Sequence, residues 1–262
     1  MAYKEYYVYN ISFASLAAGS GVSFTPGEIR VDTDSDFEFV KTIYQPTAGR
    51  YRVQYRDDTN ARFLMKGSID LRTIGGTALY SMAPVGPVPP GFVPFIWPRP
   101  YIISAATVFT VNISDYSGLI TSPEIAFHGS KIRYGDAPWD RQYRAMVPFV
   151  YPLSNTGTVA IAANGSTIAN VATDNDAHFV VQKIVGTRTG ACTVAIKDAA
   201  RDRQWMQNPV TFDNLVGNGH FPNILPSPRF IARGSVIAVS LADTSAAANT
   251  VEINFVGVKL YE

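Results

Sequence analysis

The residues with the clearest capacity for chemistry lie in the stretch "VDTDSDFEF", Val31 to Phe39, where Asp32, Asp34 and Asp36 alternate like the oxygen ligands of a calcium loop. A helix-loop-helix calcium site needs Gly at its sixth position and a bidentate Glu at its twelfth. Counted from Asp32, those places hold Phe37 and Ile43, so that motif fails. The run is echoed further on: "TDSDFEFV" from Thr33 returns as "TDNDAHFV" from Thr173, 140 residues later. Aspartates repeated ahead of a Phe-containing strand point to side chains that cap a turn, with Phe39 going inward. No metal site is expected; an ion bound there would use Asp34, Asp36, Asp174 and Asp176 together.

The three histidines, His128, His178 and His220, stand in unrelated contexts without metal-ligand spacing. Aligned on the repeat set out below, His128 falls on Val256 and His178 on Glu38, exchanges that suit surface or rim positions. The single cysteine, Cys192, aligns with Tyr51 on a strand and is expected to face a core or interface. There is no Gly-x-Ser-x-Gly elbow, phosphate loop or dinucleotide fingerprint, and no carboxylate pair stands out for glycoside cleavage. The expectation is a protein with no catalytic residue and no cofactor, not an enzyme.

The elements that would carry these side chains are strands. Apolar residues alternate over short runs such as "YRVQYR", "VFTVNIS", "CTVAIKD", "VIAVSLAD" and "VEINFVGVKLY". They are rich in Val, Ile, Phe and Tyr and are bounded by Gly, Pro, Asn or Asp. The nearest approach to an amphipathic helix is "DAARDRQWM". With 20 Gly and 17 Pro in 262 residues, the chain carries the punctuation that many tight turns require. The class is all-β.

The chain also repeats itself. "VFTVNISD" from Val108 matches "VIAVSLAD" from Val236, and "EIAFHGSKI" from Glu124 matches "EINFVGVKL" from Glu252, both 128 residues apart. "GRYRVQYRD" from Gly49 matches "GACTVAIKD" from Gly190 at a spacing of 141, and Arg62 and Met65 then fall on Arg203 and Met206. The two spacings differ by a 13-residue, Pro-rich insertion between Gly76 and Trp97. Two tandem β-sandwich, jelly-roll-like domains are expected, residues 1–136 and 137–262, since about eight strands per copy are too many for one small sheet. The Pro-x-Pro pairs at Pro98 and Pro100 and at Pro226 and Pro228 suit a loop entering an edge strand.

Composition bounds the partners. Charged residues are 16% of the chain, and 22 Lys and Arg against 21 Asp and Glu leave a net charge of +1, so no general field draws in nucleic acid or an anionic membrane. The start, "MAYKEYYVYN", has no cationic segment followed by an apolar run, and folding in a cytoplasm is expected. Tyr6, Tyr7 and Tyr9 crowd that start, while the insertion carries Phe92 and Phe95 and ends at Trp97. A proline-stiffened apolar loop loses little entropy on docking, so these six residues are the expected partner contacts.

A duplicated β-sandwich with low charge, a "DSDFEF" strand opening and the ending "P-x-P…V-x-V-x-(I/L)-x-D…E-I-x-F-x-G-x-K" resembles the jelly-roll virion accessory proteins of tailed bacteriophages. Those are capsid decoration or cement proteins and neck or collar components. The resemblance implies a non-enzymatic structural protein of the virion, assembled in the host cytoplasm. It would form a homo-oligomer and bind the major capsid protein or the portal and neck proteins. Two other readings stay open: a carbohydrate-binding module with Trp97, Trp139 and Trp205 as platforms, and a double-jelly-roll major capsid protein.

Overall fold

The computed structural model describes residues 2–14, 16, 24–44, 50–65, 67–71, 75–76, 96–116, 120–134, 143–154, 158–217 and 222–262. The first half forms β1 (Ala2–Ser12), β2 (Thr25–Arg30), β3 (Asp36–Tyr44), β4 (Tyr51–Asp57), β5 (Arg62–Phe63), β6 (Ile69–Asp70), β7 (Gly75–Gly76), β8 (Ile96–Ile103), β9 (Val108–Asp115) and β10 (Glu124–Tyr134). The second forms β11 (Ala145–Pro152), β12 (Val159–Ile161), β13 (Ser166–Ala172), β14 (His178–Arg188), β15 (Cys192–Asp198), β16 (Arg203–Gln204) and β17 (Val210–Thr211). A single helical turn, α1 (Phe212–Leu215), leads on to β18 (Asn223–Ile231), β19 (Val236–Asp243) and β20 (Asn249–Tyr261). The stretch 198–206, where a helix was conceivable, is a turn followed by β16.

Strand order is the same in both halves. One sheet of the first half runs β1-β10-β3 with β8 beyond β3, and the other runs β2-β9-β4 with β5 and β6 on β4. The second half repeats this as β11-β20-β14-β18 and β13-β19-β15 with β16 and β17 on β15. Sequentially distant strands pair in each sheet, as a jelly roll requires. All the pairings between named strands stay within residues 2–134 or within 145–261. The fold is two tandem β-sandwiches.

Each sandwich is closed by side chains of alternate residues, the period-two consequence of strand geometry. In the first, Phe39, Phe127, Tyr55 and Phe109 form a cluster of tilted and edge-on rings with centroids 5.2–6.5 Å apart, a favoured aromatic arrangement. In the second, Phe179, Phe255 and Ile253 face Cys192, Val194, Ile196 and Val239. Gly129 and Gly257, equivalent positions on β10 and β20, allow the centre of each sheet to close. A Cβ on Gly129 would lie 2.0 Å from the carbonyl oxygen of Glu38, and one on Gly257 lies 1.9 Å from that of Val180.

The prolines of β8 and β18 lie inside those strands rather than before them. Register slips there, between Phe39 and Lys41 against β8 and between Val181 and Lys183 against β18, and a bulge is where a residue without an N–H is tolerated.

Candidate functional site

The aspartate runs are held by lysines. Lys131, on β10, donates to Asp32 at 2.5 Å and Asp34 at 3.3 Å, and Arg133 donates to Asp34 at 2.6 Å. Lys259, at the equivalent place on β20, donates to Asp174 at 2.6 Å and Asp176 at 3.3 Å. Each ammonium also sits over a ring, Lys131 4.1 Å from the centroid of Tyr7 and Lys259 4.2 Å from that of Phe149, a cation–π geometry. Partial burial would raise the Asp34 carboxyl, but Arg133, Lys131 and Ser35 outweigh it and hold the group down at about 2. Burial alone would lower Lys259; its bonds to Asp174 and Asp176 prevail and raise it. A cation already fills the oxygen array, and it is part of the chain. Among the described residues no cluster of His, Cys, Asp and Glu has the geometry to hold a metal ion.

These contacts also correct the alignment of the repeat. Asp32 and Asp174 are equivalent, since each offers its backbone N–H to a tyrosine of its own first strand, Tyr9 at 2.9 Å and Tyr151 at 3.0 Å. The true spacing here is 142 residues, so Phe37 matches Phe179, Phe39 matches Val181 and His178 matches Asp36. A slip of two residues keeps every side chain on its face, which is why the 140-residue match looked sound.

The second polar assembly lies where the two sandwiches meet. Alternation along β1 sends Tyr7 and Tyr9 into the core of the first sandwich and Tyr6 and Val8 into that of the second. Val8 forms a parallel bridge to Met206, with Val8 N–H donating to the Trp205 carbonyl and Gln207 N–H to the Val8 carbonyl, both at 3.0 Å. Around this bridge the outer face of sheet β1-β10-β3 is lined with polar groups that the edge of the second sandwich covers.

Glu5, 2% exposed, faces Arg203 at 2.8 Å, Arg133 at 3.4 Å and Arg229 at 3.6 Å. Glu124 accepts from Thr211 N–H and Asn214 Nδ2, both at 2.9 Å, and from Thr211 Oγ1 at 3.1 Å. Ser130 meets Ser227 at 2.7 Å. Lys41 donates to Asn223 Oδ1 at 2.9 Å and to the Ile224 carbonyl at 3.1 Å. It is buried, and burial pulls its ammonium down to about 8.

His128 occupies the middle of this seam. Its Nε2 lies 2.8 Å from the Asn214 carbonyl and its Nδ1 2.9 Å from the Tyr6 hydroxyl. A carbonyl can only accept, so Nε2 carries the proton and Nδ1 accepts from Tyr6. Burial first, and then the charge of Lys41, hold His128 well below its usual range, so the ring is neutral and its tautomer is set. The rim position expected for His128 is overturned: the second sandwich covers it, whereas Val256 at the same place has no such cover. His178 is at a rim, 3.1 Å from Glu262, and His220 lies outside the described residues.

The expected contact residues divide. Tyr6, Tyr7 and Tyr9 are 0%, 5% and 0% exposed, because β1 is sandwiched between two cores, so their rings are not on the surface of the single chain. Trp97 falls within β8, and Phe92 and Phe95 lie outside the described residues. Of the tryptophans offered as sugar platforms, Trp205 is fully buried beneath Arg229 and beside Phe255, which removes its ring from any ligand; Trp139 is outside the described residues. Cys192 is in the core, as expected, and burial pushes its thiol up to about 11. The seam itself had a signal in the sequence, namely that Tyr6, His128 and Ser130 differ in character from their repeat partners Pro148, Val256 and Val258.

No family model and no curated protein matches the chain. Solved structures with similar backbones include the triple jelly roll of an archaeal virus turret assembly, at 9% identity and a TM-score of 0.26 over 96% of this chain. The chain spans about 59% of the length of that protein. Others are PNGase F, a glycosylasparaginase from Flavobacterium meningosepticum, with 12% identity, a TM-score of 0.22 and coverage of 95% of this chain and 96% of that one. The tandem CBM22 domains of Paenibacillus barcinonensis Xyn10C match with 7% identity, a TM-score of 0.22 and coverage of 100% and 93%. A viral turret protein, a glycosylasparaginase and tandem CBM22 domains at scores this low do not discriminate among functions. No helix among the described residues is long and apolar enough to cross a membrane.

Proposed function

We propose that the chain is a non-enzymatic structural component of a virus particle, a decoration, cement or collar protein that binds the capsid or the head-tail connector. The observation that carries this reading is the seam. His128 is bonded on both sides of the junction between sandwiches, and Lys41, Glu5 and Glu124 are bonded across it. Their work is to fix two jelly rolls in one orientation, which is what a rigid particle component needs. The partners of this reading are the major capsid protein or the portal and neck proteins. Co-sedimentation with purified particles of the encoding virus tests it: saturable binding is expected. Protein left in the supernatant, together with specific hits on a glycan array, refutes it in favour of a sugar-binding module.

A further inference from the structure

The contact between the two sandwiches is one-sided. The outer face of sheet β1-β10-β3 in the first sandwich receives the edge of the second made by residues 205–207 and β18. The reciprocal surfaces, the outer face of sheet β11-β20-β14 and the edge made by residues 64–65 and β8, make no comparable contact with each other among the described residues. Because the halves share one fold, the chain therefore carries an unused copy of each side of its own internal interface.

Register identifies the unused positions. Val8 stands opposite His128 and Val150 opposite Val256; Tyr6 stands opposite Ser130 and Pro148 opposite Val258. Val8 is 0% exposed and Val150 47%. Tyr6, His128 and Ser130 are buried, while Pro148 is exposed and Val256 and Val258 are half-buried. The covered face is polar and bonded across the seam, whereas the uncovered one carries proline and valine, with Lys183 opposite Val256. On the other side, Leu64 and Met65 take the places of Trp205 and Met206, both buried, and are only half-buried. Apolar residues on a sheet's outer face cost solvation unless something covers them.

We propose that a second copy of this chain covers that face: the Leu64, Met65 and β8 edge of one molecule docks on Pro148, Val150, Val256 and Val258 of the next, repeating between chains the contact made within each. The internal interface supplies the argument for this occupant, since it shows a jelly-roll edge of this same fold seated on the equivalent sheet face. An interface whose two sides differ is heterologous and builds rings when the rotation closes or filaments when it does not. The Pro-rich insertion joins β7 to β8, the strand of the docking edge. The inference is independent of which particle the protein joins.

Sedimentation velocity over a concentration series tests it. The wild-type chain is expected to assemble beyond the monomer, and Val150→Lys and Val256→Lys, with circular dichroism unchanged, are expected to lose that assembly. Met65→Lys is expected to lose it too. Mixed with Val150→Lys it should give one-to-one dimers and nothing larger, because each variant keeps one intact side. A monomeric wild type, persistent assembly of Val150→Lys, or failure of the mixture to pair overturns the proposal. Should Met65→Lys fail to fold, a photo-crosslinker at position 150 decides: crosslinks to residues 62–65 or 100–102 of another copy are expected, and crosslinks back to 146–150 indicate a face-to-face dimer instead.

Discussion

Lys41 provides the sharpest test of the seam. Among the described residues its buried ammonium has no carboxylate partner and is held by Asn223 Oδ1 and the Ile224 carbonyl. A drop from 10.5 in the open chain to about 8 in the folded one corresponds to a folding cost of about 3 kcal/mol at neutral pH. Lys41→Met removes the charge and keeps the length. It also leaves two acceptors, Asn223 Oδ1 and the Ile224 carbonyl, unpaired at about 1–3 kcal/mol each, which offsets the relief of the charge at pH 7.

The sign of the pH effect follows from the lowered value. Below about pH 8 both states carry the proton and the cost is fully present. From about pH 8 towards 10.5 the unfolded chain binds more protons than the folded one, so wild-type stability rises with pH. The variant lacks that rise. Urea unfolding, followed by the fluorescence of buried Trp205 at several pH values from 7 to 9.5, should show the wild type gaining about 2 kcal/mol on the variant across that range. Lys183→Met makes the same change at the equivalent, half-buried position of the second sandwich and serves as the matched control. Parallel profiles for the wild type and Lys41→Met would refute the buried, unpartnered ammonium.

Three further outcomes are expected. Gly129→Ala and Gly257→Ala should each lower the urea midpoint by the equivalent of about 1–3 kcal/mol or more, because the added Cβ meets a backbone carbonyl that cannot swing away; a neutral result at either site would show that the sheets are less tightly closed. Calcium added to the wild type should leave its melting temperature unchanged, since Lys131 and Lys259 occupy the aspartate runs. Lys259→Met should cost about 1 kcal/mol, the carboxylates of Asp174 and Asp176 being half in water; a calcium-dependent rise in melting temperature would overturn the internal-cation reading.

The fold was legible because alternation and duplication are both local signals. Val, Ile, Phe and Tyr at every second position give strands without reference to the rest of the chain, and "EIAFHGSKI" with "EINFVGVKL" fixes β10 and β20 as equivalents down to Gly129 and Gly257. The aspartate runs were read correctly as strand openings, but their partner was hidden, because Lys131 lies 99 residues from Asp32 and nothing local connects them. The two-residue error in aligning these runs has the same origin: in a strand, a shift of two preserves the inside and outside faces, so only the cross-sheet partners, Tyr9 and Tyr151, reveal the true register.

What escaped the sequence reading most completely was the seam, and the reason lies in how the repeat was used. A position that differs between copies reads as unconstrained in sequence alone, and His128 against Val256 then points to a rim. The structure reverses that logic, since a duplicated fold keeps alike what holds each copy together and makes different what joins the copies. Tyr6, Val8, His128 and Ser130 stand where the second copy has Pro148, Val150, Val256 and Val258, and the first set is buried against the neighbouring sandwich. A buried polar set bonded across the seam specifies one mate in one register, because any other leaves buried charges unpaired. The apolar set makes no such demand, which suits it to the proposed contact between copies, one that forms only after each chain has folded and leaves the permanent interface to the polar set.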